Sequence, residues 1–380
     1  MTAARLPLVI VGGGPAGLAA ALAAKQHGIA PLVLERQRPP IDKACGEGIM
    51  PDGVAALRAL GVEPPGVDFR GIRYVDEVHS AEAPFPGAPG RGIRRTALHA
   101  AMTAAVDAAG IEVRWGEKVD SVSLDGEVRT ARETLRAERV VGADGLLSHV
   151  RGWAGLAGRA PRRWRFGVRR HFRREPWSDL VEVHWRKGVE AYVTPVGEDE
   201  IGVAMLWNKE RGGGDGGAEG HNGDNFDALL AGFPEVVAQL AGAPEVSRDR
   251  GAGPFRQRAR AVSRGRVVLI GDAAGYLDAI TGEGLGLSFQ QAHALGEALA
   301  SGNLASYART CRRLARLTDA LTESLLFCER RPWLRRRLVR ELGRRPALFS
   351  RLLGVHARQL PPRALGPRAF GALLLGLLRP

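Results

Sequence analysis

The sequence predicts an α/β fold: a Rossmann-type nucleotide-binding domain, an antiparallel-sheet domain inserted into it, and a basic helical tail. Three observations predict it. Short apolar strands alternate with Ala/Leu-rich helical segments on either side of a central region. That region, from about Arg162 to Trp207, alternates apolar and polar residues and holds Trp164, Phe166, Phe172, Trp177, Trp185, Tyr192 and Trp207. Residues 331–380 interleave arginine clusters with aliphatic residues. The expected divisions are 1–72, 92–160 and 255–330 for the nucleotide domain, 73–91 and 161–254 for the substrate domain, and 331–380 for the tail.

Length and composition agree with this. The 380 residues are 45% hydrophobic and 25% charged, enough for two cored domains and unlike a disordered chain. No apolar run reaches the roughly 18 residues of a transmembrane helix. Leu6 to Val11 runs straight into glycines and reads as a buried strand, not a secretory signal. Cys45, Cys311 and Cys328 lack metal-ligand spacing, so no metal is expected and a reducing cytoplasm is the expected compartment. The net charge is +13, but only five of the 54 basic residues are lysine, the bias of a GC-rich genome as much as of a binding surface.

Leu8 to Val11, the helix Leu18 to His27 and Pro31 to Leu34 form a β-α-β unit. Gln37 to Gly48 reads as a loop, Val54 to Leu60 as a helix and Gly71 to Val78 as a strand. The Pro/Gly-rich stretch Ala83 to Gly92 reads as a loop and Thr96 to Ala109 as a helix. Ile111 to Trp115, Val119 to Leu124, Glu127 to Leu135 and Arg139 to Val141 read as strands, with a tight turn at Asp125-Gly126. Leu180 to Trp185, Glu190 to Val193 and Ile201 to Trp207 are the clearest antiparallel strands. Arg211 to Gly223 reads as a Gly-rich loop, and Asn225 to Ala241 as a helix interrupted near Pro234. Arg266 to Ile270 is a buried strand, and Phe289 to Ala300 a helix.

The chemistry sits in glycine motifs. Gly12-x-Gly14-x-x-Gly17 follows a strand and opens a helix, where Gly12 permits the turn, Gly14 admits a pyrophosphate and Gly17 allows close helix–strand packing. The helix start then presents free N–H groups to phosphate. Glu35 ends the second strand, where a carboxylate can accept from a ribose diol. Two further motifs favour FAD over NAD. One is Gly142-Ala143-Asp144-Gly145 through Arg151. The other is Gly271-Asp272-Ala273-Ala274 followed by Gly282-Glu283-Gly284-Leu285-Gly286, where Asp272 can reach a ribitol hydroxyl and backbone N–H groups can face an isoalloxazine edge.

In this order the motifs resemble the para-hydroxybenzoate-hydroxylase-like superfamily of FAD enzymes, whose fold is glutathione-reductase-like. That superfamily includes aromatic monooxygenases, flavin halogenases and geranylgeranyl reductases. The resemblance spans about residues 6–330. It implies non-covalent FAD held by Gly12, Gly14, Pro15, Ala16, Gly17, Glu35 and Arg36 of the first unit, and by Arg95, Val119 and Asp144. Gly271, Asp272, Gly282, Gly284, Leu285 and Gly286 are implied for the flavin end. No second GxGxxG is present, so NAD(P)H is expected to dock transiently as electron donor. Cys45-Gly46-Glu47-Gly48 resembles the geranylgeranyl-reductase-related branch, where this loop lies along FAD. Cys45, Gly46 and Gly48 are therefore also implied as contacts. The branch's aromatic Tyr-x-Trp-x-Phe-Pro segment is reduced here to Tyr192-Val193-Thr194-Pro195.

The candidate catalytic residues are Cys45, Glu47 and Tyr192. Cys45 fits a small residue beside FAD as well as a redox or proton-transfer group. Glu47 fits a proton donor, a FAD contact or a solvated loop residue. Trp185, Tyr192, Pro195, Met205 and Trp207 are expected to line the substrate pocket, and His171 and His184 read as wall residues. The tail reads as two or three amphipathic helices broken at Gly343 to Pro346 and Pro361-Pro362. This pattern fits a cap on the main domains or a peripheral contact with the inner face of a membrane; nucleic acid is not expected as a partner.

The expected activity is a single-component, NAD(P)H-dependent monooxygenase that hydroxylates an aromatic, polyketide or lipid-like molecule through a flavin C4a-hydroperoxide. The alternative is reduction of isolated C=C bonds in an isoprenoid lipid. Halogenation and dehydrogenation are further readings.

Overall fold

The computed structural model describes residues 5–159, 164–209 and 225–378. The segment Arg211 to Gly223, read as a loop, lies outside these residues. The expected α/β architecture is observed. The nucleotide domain is built on a sheet ordered Ser263–Arg264, Val267–Leu269, Thr134–Gly142, Leu6–Val11, Pro31–Glu35, Glu112–Trp115. Every pairing in this order is parallel except that of the first two strands. Both faces are covered, as a parallel sheet requires. Helices Pro15–Gln26, Arg95–Ala108 and Gly284–Ala300 pack on one face through Leu18, Leu98, Met102, Phe289 and Leu295. The antiparallel ribbon Val119–Val122 and Glu127–Thr130 covers the other through Val122 and Val128.

Some elements differ from the sequence reading. The strand expected over Glu127 to Leu135 is two strands, because Thr130 and Glu133 close a turn and Thr134–Gly142 then runs on as one strand. The Pro/Gly-rich stretch Ala83 to Gly92 holds strand residues at both ends. Ser80–Pro84 pairs with Gly71–Val75 at a sheet edge, where a terminal proline costs no ladder bond. Gly90–Gly92 pairs with Gly48–Ile49 and Val67–Phe69. The long helix Leu304–Glu329 lies in a stretch the sequence left without an expected element.

The second sheet runs Arg250–Ala252, Trp164–Arg173, Glu200–Lys209, Val189–Gly197, Leu180–Arg186, Gly71–Val75, Ser80–Pro84. It is antiparallel except where Leu180–Arg186 meets Gly71–Val75. Alternation gives it two apolar faces. Val193, Val203 and Met205 pack under helices Phe226–Leu230 and Pro234–Leu240. Val183, Trp185, Tyr192, Ala204 and Leu206 point the other way, with Phe255, Tyr276 and the tail.

The tail folds as helices Pro332–Arg344, Pro346–His356 and Pro367–Leu378. Leu334, Val339, Leu342, Leu348, Phe349 and Leu353 of these helices are buried, all but Leu334 in the cluster on the second sheet. Tyr74 stacks between Trp185 (4.8 Å) and Phe349 (5.3 Å). Arg335 is fully buried, 2.5 Å from Glu77 and donating to the Arg186 carbonyl at 2.9 Å. The tail's leucine face therefore covers the edge strand Ser80–Pro84, which would otherwise offer open backbone groups. No helix among the described residues is long and apolar enough to cross a membrane. Phe349→Ala is predicted to cost about 3–5 kcal/mol, the usual price of truncating a buried aromatic, read as a lower thermal midpoint.

Candidate functional site

The strand Leu6–Val11 delivers Gly12 with φ 113°, a conformation that favours glycine. A Cβ there would lie 2.4 Å from the Ala143 carbonyl oxygen, and one on Gly17 would lie 1.8 Å from the Gly12 carbonyl oxygen. Turn, helix and neighbouring strand therefore meet backbone to backbone. The helix begins at Pro15, with Ala16 in its first turn, and Gly14 as N-cap offers no side chain, so its first N–H groups stay open to an anion. Arg95 opens the helix Arg95–Ala108 and is 4% exposed. A Cβ on Gly14 would sit 3.9 Å from Arg95 Nη2, while Nη1 is buried with no hydrogen-bond partner among the described residues. Burial lowers its pKa, the mark of a cation without full compensation.

Glu35 is fixed at the end of its strand. It accepts from the Gly13 N–H at 2.7 Å and the Gln37 N–H at 2.8 Å. Arg36 beside it is exposed, whereas the Val119 side chain lies in the core with Leu34. His99, which the sequence did not single out, sets its Nε2 2.9 Å from the Gly13 carbonyl oxygen and packs edge-on to Trp115.

The Asp144 and Asp272 segments form the far wall. Asp144 accepts from Ser148 Oγ at 2.5 Å and from the Val150 N–H at 3.0 Å, and Ser148 caps the helix His149–Trp153. Arg151 is buried and donates to the carbonyls of Leu146 (2.8 Å), Asp272 (3.2 Å) and Ala273 (3.1 Å), stapling the two segments. The Gly271 N–H donates to Gln291 Oε1 at 2.8 Å. Burial pushes the Asp272 carboxyl up, and Lys43, Arg95 and Arg151 counter part of that push. After Gly282, the helix Gly284–Ala300 starts without a side-chain cap, again leaving N–H groups open. Gly286 serves another purpose: its Cβ would lie 3.2 Å from Gly53 Cα, so it admits the helix Pro51–Ala59. Leu285 packs partly into the core.

The Cys45 loop joins this wall to the second sheet. Glu47, with φ 59°, is buried. Its Oε1 accepts from the Arg95 N–H at 2.7 Å, and its Oε2 pairs with His171 Nε2. His171 is fully buried, with Nδ1 2.8 Å from Ser247 Oγ and 3.1 Å from Arg169 Nη1. The Glu47 N–H donates to Cys45 Sγ at 3.3 Å. Burial, then the Glu47 charge, push the half-buried Cys45 thiol up. Thr194 Oγ1 donates to the Gly46 carbonyl at 2.9 Å, and Gly48 pairs with Gly92.

These features fit FAD: an orphaned buried guanidinium, glycines that leave no room for a Cβ, and two uncapped helix starts. Residues 5–304 match the FAD binding domain family. The chain belongs to that family. It is a FAD-dependent oxidoreductase. It is 26% identical over 334 residues to the menaquinone reductase of Mycolicibacterium smegmatis, covering 80% of this chain and 78% of that protein. It is 24% identical over 306 residues to digeranylgeranylglycerophospholipid reductase 2 of Methanosphaera stadtmanae, covering 73% of each. In fold it is similar to the myxobacterial chondrochloren halogenase CndH, with a TM-score of 0.73 at 18% identity over 95% of this chain and 99% of that one.

The FAD-binding family's substrate side is less legible in the sequence. Tyr192 faces the nucleotide domain, its hydroxyl 2.9 Å from Glu190 Oε2 and 3.1 Å from the Ile280 carbonyl oxygen. Trp185 shares that face but is occupied by its stack on Tyr74. Pro195, Met205 and Trp207 differ from the expectation. By strand alternation they share the opposite face, where Met205 packs among Phe233 and Val236 and Trp207 stacks on Phe166. His184 also faces that way, toward Glu235. The sequence reading missed Arg165, Glu190, Asp278 and Glu329, a buried cluster in which one guanidinium meets three carboxylates. Burial pushes Glu190 up to about 7, against the pull of Arg165. The only signal in the sequence was two ionisable residues, Arg165 and Glu190, on strands of the central sheet; Asp278 and Glu329 lie on a loop and a helix.

Two predictions follow from this geometry. Arg95→Met is expected to weaken FAD binding about 10- to 100-fold, the value of a charged hydrogen bond, without lowering the apoprotein's thermal midpoint. Flavin fluorescence titration and apoprotein melting check it. The second concerns Glu283, which is buried and lies 3.1 Å from His356 Nε2 and 3.4 Å from Arg358 Nη1. Burial opposes both charges, yet Glu283 holds His356 above its ordinary 6.5, and His356 with Arg358 holds Glu283 below its ordinary 4.5. The His356 contribution is complete below 6.5 and lost as pH rises through its folded value. That of Glu283 is present above 4.5 and lost as pH falls through its folded value. His356→Gln should therefore lower the thermal midpoint most between these limits, and the gap to the unmodified protein should narrow in alkali.

Proposed function

We propose that the protein reduces an isolated C=C bond of an isoprenoid quinone or lipid, using FAD with NAD(P)H as the electron donor. The observation that carries this reading is the Cys45 thiol. It sits on the loop that the family resemblance sets along FAD, and burial together with the Glu47 carboxylate keeps it protonated. Saturating a C=C bond delivers a hydride to one carbon and a proton to the other. Bound FAD, reduced by NAD(P)H, supplies the hydride. Cys45 is the proton donor, and solvent returns the proton to it. Glu47 holds the loop through the Arg95 N–H and His171. Tyr192, bonded to Glu190, packs in one buried apolar cluster with Val183, Leu206 and Phe255, and a prenyl chain is proposed to enter along this face.

Two relatives that match most of this chain, the menaquinone and digeranylgeranylglycerophospholipid reductases, support the substrate class. Hydroxylation of an electron-rich ring, the other reading of the sequence, removes a proton from carbon rather than delivering one, so the two reactions part on Cys45. The test is anaerobic NAD(P)H oxidation by the FAD-loaded protein with menaquinones and geranylgeranyl lipids, followed by mass spectrometry. A product heavier by two hydrogens is expected, and Cys45→Ser should slow turnover by about 100-fold or more with FAD content unchanged. A product heavier by one oxygen, formed only in air and insensitive to Cys45→Ser, would establish a monooxygenase instead.

A further inference from the structure

We propose that the corner between helices Leu304–Glu329 and Pro332–Arg344 is a docking surface for an anionic lipid bilayer. Leu334, Leu342, Leu348, Leu353 and Leu373 of the tail are buried in the protein, so they do not form that surface. What the corner leaves outside is Phe327, 50% exposed, and Trp333, 52% exposed, the two most exposed aromatic side chains among the described residues. Each carries an arginine over its ring: Arg331 lies 3.6 Å from the Phe327 centroid and Arg337 lies 5.0 Å from that of Trp333. Residues 330–340 contain Arg330, Arg331, Arg335, Arg336, Arg337 and Arg340 and no acid. The acids at either end of the run, Glu329 and Glu341, are both buried. Arg335 turns inward to Glu77, and Arg336, although exposed, sets its Nε 3.7 Å from the same carboxylate; Arg330 is also exposed.

Aromatic side chains beside arginines suit the boundary between headgroups and acyl chains, where the ring enters the apolar layer and the guanidinium meets phosphate. Arg337 Nη1 also donates to the Leu377 carbonyl at 3.1 Å, which holds that guanidinium beside Trp333. Duplex nucleic acid would meet the arginines but offers nothing to bury two exposed rings, which favours lipid. The surface stands apart from the reaction proposed above, because its test needs no turnover.

The FAD-loaded full chain is sedimented with vesicles of phosphatidylcholine alone and of equal phosphatidylglycerol and phosphatidylcholine. Binding is expected on the anionic vesicles, falling as salt rises. The double variant Phe327→Ser, Trp333→Ser should lower binding at least ten-fold with melting temperature and FAD content unchanged. Arg330→Gln with Arg336→Gln should lower it about 25-fold, roughly five-fold for each charge. No binding to anionic vesicles, or binding that the aromatic variant leaves intact, would overturn the proposal. So would binding to duplex DNA of equal phosphate concentration that is tighter than binding to the vesicles.

Discussion

One buried carboxylate determines how the two sheets meet. Glu47 closes the start of helix Arg95–Ala108 by accepting from its first N–H, and on its other side it meets His171 of the second sheet. Arg169 stands 3.7 Å from the same carboxylate and 2.5 Å from Asp42. Because the protein itself closes this helix start, the Arg95 side chain is left to face the Gly14 turn. The helix starts at Pro15 and Gly284 have no such cap. Anionic groups of a cofactor are thus directed to the two open starts and the orphaned guanidinium. Removing Glu47 would leave His171 buried without its carboxylate, while Arg169 would keep Asp42, and the loss would exceed that of an exposed ion pair.

The same logic governs much of the interior. The arginine excess reads as compositional bias, yet several arginines are buried in ion pairs. Arg165 meets Glu190 and Asp278, and Arg170 bridges Asp227, Glu245 and Asp249. A guanidinium can serve two or three acceptors at once in a fixed plane, which a lysine ammonium does not match. Such networks specify which strands and helices meet more than they add to stability. They tie the second sheet to the Ile280 loop, to the helix Leu304–Glu329 and, through Arg335, to the tail.

The nucleotide half was legible in the sequence because its glycines have no alternative. Gly12 needs its φ and Gly17 its lack of a Cβ, so the motif and the geometry are the same fact. The tail helices were legible from arginine and leucine spacing and from Pro346 and Pro361. The substrate face was not. Both faces of the second sheet are apolar and buried, so alternation along Glu200–Lys209 separates Met205 from Leu206 without saying which faces the flavin. Cys45 and Glu47 were visible as residues, but the partners of Glu47 were not. His171 lies 124 residues further on, with Arg169 beside it, and only the fold brings them to this loop.

Arg151 carries a consequence for how the chain is made. Its guanidinium binds carbonyls on both sides of a gap of 121 residues, and five of the seven strands of the second sheet lie within that gap. During synthesis the first 151 residues emerge with Arg151 lacking its Asp272 and Ala273 acceptors and the last strand of the parallel core, Val267–Leu269, still missing. The cradle closes only after the entire second sheet has left the ribosome, and the Pro332–His356 helices that seal the sheet edge come later still. Completion of the nucleotide site thus reports that the inserted domain has been delivered in full.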